Sequence, residues 1–250
     1  MSQSDNMRHP FLPEGRRVAV SLTFDDARAS HLDVAAPILQ AHGMRATFYV
    51  LPVPLGHRTD DWRAMVGSGH EIGNHSATHP CSANFAFSTG NALEDYSEGR
   101  MEADIDRATR QVEALVGVRP STFAYPCGQS FLGRGVSRRS YVPLVARRFL
   151  AARGYGSETS NDPARCDLAH LEAFAIDGLD AEALVAQVEE GAAGSRWVIL
   201  AAHDVGGGGE QTVVARALAR LCRRMTEDDV WVAPVREVAA RLRRARAPVS

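Results

Sequence analysis

"RRVAVSLTFDD", residues 16–26, decides how the chain folds. Arg17 to Phe24 is a short β-rich run of the kind that forms a buried strand, and it ends in two acids. Outward from it, strand and helix signals alternate. Asp33 to His42 reads as a helix, stopped by Gly43 at the usual C-terminal position. "RATFYVL" (45–51) is a second strand, "DWRAMVGSG" (61–69) a short helix, and "HEIGNHS" (70–76) a third strand. A long helix is expected over Ser97 to Val116, because Met101, Ile105, Ala108, Val112, Leu115 and Val116 form one apolar stripe and Gly117 ends it. "STFAYP" (121–126) is the next strand. The polar loop "CGQSFLGRGVSRRS" (127–140) then leads to a helix near 143–153 and a short strand near 154–158. Strands follow at 171–176, 196–202 and 229–234, with helices near 180–191, 210–225 and 235–245.

This alternation means right-handed βαβ units and a parallel sheet. Seven or eight units in this length predict a single-domain, distorted (β/α) barrel of about seven to eight parallel strands over residues 17–246, behind a loose N-terminal arm of residues 1–16. The 250 residues are 45% hydrophobic and 23% charged, which is ordinary globular chemistry. A net charge of −2 argues against a nucleic-acid partner. No run is apolar enough to cross a membrane, and the N-terminus has no apolar signal core, so the chain as given reads as cytoplasmic. Homo-oligomers stay open. Cys81, Cys127, Cys166 and Cys222 are widely spaced without a CxxC and read as free thiols.

In a βα barrel the working groups stand at the C-terminal ends of the strands. Asp25 and Asp26 end the first strand, and His75 and His79 follow the third. Tyr125 and Cys127 follow the fourth, Asp177 a later one, and His203 and Asp204 another. Each fragment alone has a plain alternative. Paired aspartates cap turns, and His203–Asp204 before "GGGG" could be a simple turn. Together on one rim they suit a divalent metal. His75 and His79, four apart on a helical turn, and one aspartate would be ligands with positions left open for water. The second aspartate could take a proton, and His203 could protonate a leaving group. His9, His31, His42, His57, His70 and His170 have no such company and read as surface or satisfied core groups. Trp197 and Trp231 read as core, and Trp62 stays open.

"TFDD" (23–26), "HSATH" (75–79), "FAYPCG" (123–128) and "ILAAHD" (199–204) resemble, in that order, the motifs of the polysaccharide deacetylases, the carbohydrate esterase group with the chitin and peptidoglycan deacetylases. The resemblance implies a distorted barrel and hydrolysis of an acetyl amide or ester by a metal-held water. It implies Asp25 as general base, Asp26, His75 and His79 as metal ligands, and His203 as general acid. The Cys127 backbone N–H, with Tyr125 beside it, falls at the oxyanion and substrate position. Zinc is the expected ion, with cobalt, nickel or manganese suited to similar ligands. The expected substrate is an acetylated sugar. A small non-glycan amide is the alternative, since relatives with a similar "FAYP" act on other C–N bonds, and a non-catalytic carbohydrate-binding relative is the third reading.

Ala124 stands where the family has an arginine that tethers the base, and Asp177–Gly178 replaces an Asp-Trp pair. A cation for the carboxylates must come from elsewhere. Arg134, between two glycines and ahead of Arg138 and Arg139, is the favoured donor to Asp25 or Asp177; the alternative is that all three arginines are solvated and the loop only binds substrate or a partner subunit.

Overall fold

Val18–Asp25 forms β1 with all eight residues buried in the computed structural model, which describes residues 11–227 and 229–247. Val18, Val20, Leu22 and Phe24 pack into the apolar layer beneath the helices, while Ala19 joins a second cluster with Trp197, Ile199 and Ala201. Side chains of a strand alternate between faces, so Asp25 shares the inner face with Ala19 and Ser21. Seven of the barrel strands are short pieces: β2 (Thr47–Val50), β3 (Glu71–Asn74), β4 (Thr122–Ala124), β5 (Ala151–Arg153), β6 (Phe174–Ala175), β7 (Trp197–Ala202) and β8 (Val230–Val232).

The sheet is parallel in the order β5–β4–β3–β2–β1–β7–β6. β8 pairs with the first half of β1 (Val18 to Val20), on the residues that β2 leaves free. Just before β6, Leu171 bridges to Arg153 of β5, with Leu171 N–H donating to Ala152 O at 2.7 Å and Gly154 N–H to Leu171 O at 2.8 Å. The curl thus brings its two edges together as a distorted barrel of seven strands plus β8. Gly73 of β3 is fixed by this curvature: a Cβ there would lie 2.4 Å from the Tyr49 ring. Glu71 is buried at the lower end, where the hydroxyls of Thr47 and Thr122 and the Arg236 amide donate to its carboxylate.

The helices are α1 (Ala36–Ala41), α2 (Pro52–Gly56), α3 (Thr59–Gly67), α4 (Glu98–Val116), α5 (Val142–Ala146), α6 (Ala181–Ala193), α7 (Ala215–Met225) and α8 (Val235–Arg246). α4 starts on a Ser97 side-chain cap and ends on Gly117 at φ +78°, as its sequence predicts. No helix among the described residues is long and apolar enough to cross a membrane.

Three expectations are corrected. The helix near 143–153 stops at Ala146, and residues 151–153, not 154–158, are the strand. The Ala- and Arg-rich stretch favours a helix locally, but pairing with β4 overrides that weak preference. The N-terminal arm is not free where it is described. Phe11 and Leu12 are buried, and the Arg241 guanidinium donates to both of their carbonyls. Residues 1–10 of that arm, with His9, lie outside the described residues.

Candidate active site

Asp25 ends β1 on the inner face, 2% exposed, and its partner comes from the far side of the barrel: Arg153, fully buried at the end of β5, donates to Asp25 Oδ1. Burial pushes the Asp25 carboxyl up, but Arg153, then His75 and His203, outweigh it and pull it down to about 2. Arg153 also donates to Gly154 O at 3.1 Å and lies 4.8 Å from the Tyr49 ring centre. The cation expected from Arg134 is therefore Arg153. Arg134 bonds Asp95 at 2.7 Å with its side chain 62% exposed, away from Asp25 and Asp177.

Asp26 leaves the strand at φ +78° and turns toward two imidazoles. Its Oδ1 lies 3.6 Å from His75 Nε2 and 3.6 Å from His79 Nε2. His75 Nδ1 donates to Ala124 O at 2.9 Å, which fixes the tautomer and leaves Nε2 as a lone-pair donor. Tetrahedral ligands about 2 Å from one ion sit a little over 3 Å apart, so the three atoms fit a zinc-like centre. Burial raises Asp26, yet His75 and His79 bring it below the usual carboxylate range, while burial and His75 hold His79 at about 4. An anionic Asp26 and a neutral His79 are the ligand forms a metal needs.

The histidines do not meet on a helical turn, as their spacing suggested. Residues 75–79 form a loop in which Ser76 (φ +67°) and His79 (φ +51°) are left-handed. Asp104 of α4 holds it, accepting from Ala77 N–H and the Thr78 hydroxyl at 2.9 Å each. Five of the seven non-glycine residues described with positive φ are Asp26, Ala27, Ser76, His79 and Cys127, all at this site. Backbone strain of this kind clusters where function over-determines the geometry.

His203 ends β7. Its Nδ1 lies 2.6 Å from Asp177 Oδ2, and its backbone N–H donates to Asp177 Oδ1 at 3.0 Å. Tyr155 donates its hydroxyl to the same Asp177 at 3.0 Å. Burial works against a charged His203, but Asp177, then Asp25, raise its pKa. Asp177 thus acts on His203. Arg28 joins the ends of β1 and β7, donating to Asp26 Oδ2 and to Asp204 Oδ2 at 2.9 Å each. Reading the sequence missed Arg28, Asp104, Arg153 and Tyr155; only for Arg28, two residues past Asp26, was there a local cue.

Cys81 and Cys127 form a disulfide, which overturns their reading as free thiols; Cys166 and Cys222 are free. The bond ties the loop after His79 to the loop after β4, and Cys81 Sγ lies 3.6 Å from His79 Nδ1. Cys127 sits at φ +53° on the cavity wall. Tyr125 is fully buried, with its hydroxyl donating to Ala169 O at 2.8 Å, so that hydroxyl is not aimed at a substrate. Trp62 is buried as well. Asp25, Asp26, His75, His79, Cys127 and His203 all line one cavity of about 960 Å³.

Residues 13–134 match the pattern of the polysaccharide deacetylase family. A chitooligosaccharide deacetylase of Bradyrhizobium sp. (strain ANU 289) is 39% identical over 64 residues, 25% of this chain and 29% of that protein. The chain spans at most 40% of the length of the curated relatives it matches. A structure from Mycobacterium smegmatis assigned to the polysaccharide deacetylases superposes with a TM-score of 0.68 at 19% identity, over 96% of this chain and 95% of that one. A family 4 acetyl xylan esterase from Clostridium thermocellum, solved with a cobalt ion, gives 0.57 at 21% identity, over 88% and 89%. Asp25, Asp26, His75 and His79 all lie inside the stretch of the chain that is similar to the polysaccharide deacetylase family.

Proposed function

We propose that this chain is a metal-dependent hydrolase that removes acetyl groups from an acetylated carbohydrate. The observation that carries the reading is the convergence of Asp26 Oδ1, His75 Nε2 and His79 Nε2 beside a second, separately tethered carboxylate. The chitooligosaccharide deacetylase likeness and the cobalt ion of the acetyl xylan esterase structure support the same choice of substrate class and cofactor.

Asp26, His75 and His79 would hold the ion, zinc by the chemistry of the donors, with cobalt, nickel or manganese suited to similar ligands. A divalent ion there supplies Lewis acidity and an acidified water. The rest falls to the chain. Asp25, kept ionised by Arg153, takes the proton from the attacking water. The Cys127 backbone N–H donates to the oxygen that gains charge at the acetyl carbon. His203, kept protonated by Asp177, gives its proton to the departing nitrogen or oxygen. Acetate and the free amine or alcohol are the products.

The test is turnover of acetylated chitooligosaccharides by protein stripped with a chelator and then reloaded with zinc. Activity should vanish and return, and Asp25→Asn should bind zinc while losing about 10²–10⁴-fold in rate. Turnover by the stripped protein, or near-wild-type rates in Asp25→Asn, would refute the assignment.

A further inference from the structure

Among the described residues, four large hydrophobic side chains are exposed: Val53, Phe85, Phe87 and Val136. Three of them line the cavity that holds Asp25, Asp26 and His203. Val53 and Phe87 are each 71% exposed, an unfavourable display unless something covers it. The topology collects them. Leu51, Val53 and Pro54 follow β2, and Phe85 and Phe87 follow β3, which is the adjacent strand. The ring centres of Phe85 and Phe87 are 5.4 Å apart, and Phe87 lies 6.5 Å from the His79 ring. Trp62 lines the same side.

The two arginines at the mouth are already engaged by carboxylates of the chain. Arg28 is taken by Asp26 and Asp204, and Arg58 by Asp33 and Asp61. A chain of unsubstituted sugars asks for the reverse, namely free donors and acceptors for its hydroxyls. The apolar side begins at a metal-ligand histidine, so what covers it is a part of the molecule whose acetyl bond is cut.

Resting on the deacetylase reading above, we propose that the substrate carries an aryl or alkyl substituent next to the acetylated group, and that helix α2 and the segment after β3, chiefly Val53, Phe85 and Phe87, form its subsite. Covering about 60 Å² of apolar surface corresponds to about a ten-fold gain in kcat/KM.

The experiment uses the zinc-loaded protein and four probes: N-acetylglucosamine, N,N′-diacetylchitobiose, and the phenyl β-glycoside of each. The phenyl compounds should be turned over about ten-fold more efficiently than the free sugars. That ratio should fall toward one in Phe87→Ser and in Val53→Ser, both substitutions at exposed positions that cost the fold little. In parallel, calorimetry on zinc-loaded Asp25→Asn measures binding of the same probes without turnover. Equal efficiency for free and phenyl sugars in the wild type would overturn the subsite and leave the deacetylase reading standing. Tighter binding of the phenyl compounds with no turnover of any probe would keep the subsite and remove the deacetylase reading.

Discussion

Replacing Arg153 with methionine should damage both stability and turnover, and the structure sets the size of each. Arg153 is fully buried and Asp25 nearly so, with the charges in direct contact across the barrel. Removing one member of a buried pair costs about 3–5 kcal/mol, because the other charge is left without water or partner. Of the influences on Asp25, burial is the largest and pushes the carboxyl up; without Arg153 it would rise well above about 2. Held near 2 instead of its usual 3.8, the carboxyl contributes roughly 2 kcal/mol at neutral pH. The folded-state pKa is depressed, so that stability is present above the unfolded value and is lost as pH falls from about 4 toward 2. Urea unfolding of metal-free wild type, Arg153→Met, Asp25→Asn and the double variant forms a complete cycle. Each single change should be costly, and the double variant should be less destabilised than their sum by at least about 2 kcal/mol. Strictly additive losses, or an Arg153→Met protein within about 0.5 kcal/mol of wild type, would show that the pair is not the tether described here.

Two more outcomes follow from neighbouring contacts. Asp177→Asn removes the strongest support for a charged His203, so the alkaline limb of the kcat profile should move to lower pH; an unmoved limb would separate His203 from the acid role. Cys81→Ser with Cys127→Ser opens a link between residues 46 apart, worth about 4 kcal/mol of stability by loop-closure entropy, and a loss below about 1 kcal/mol on urea unfolding would contradict that.

Much of the architecture was legible because it is local. Val18 to Phe24 is an unbroken strand signal, and the stripe from Met101 to Val116 needs only helical spacing and Gly117 to be read. The rim carboxylates and imidazoles were legible because a βα barrel places strand ends together whatever their separation in sequence. What escaped is long-range. Arg153 meets Asp25 across 128 residues, from a strand whose composition favours a helix. The disulfide depends on β3 lying beside β4, where Asn74 pairs with Phe123, so that Cys81 and Cys127 emerge from neighbouring strand ends. The approach of His75 to His79 depends on two left-handed residues and on Asp104, none of which the HxxxH spacing reveals.

The central claim is that Asp26, His75 and His79 hold one catalytic ion. The most direct measurement is zinc stoichiometry by elemental analysis after dialysis, on wild type and on His79→Ala, with circular dichroism to verify folding. Wild type should retain one zinc per chain, and folded His79→Ala should retain close to none. A full complement of zinc in His79→Ala, or no zinc in wild type exposed to excess metal, would contradict the account.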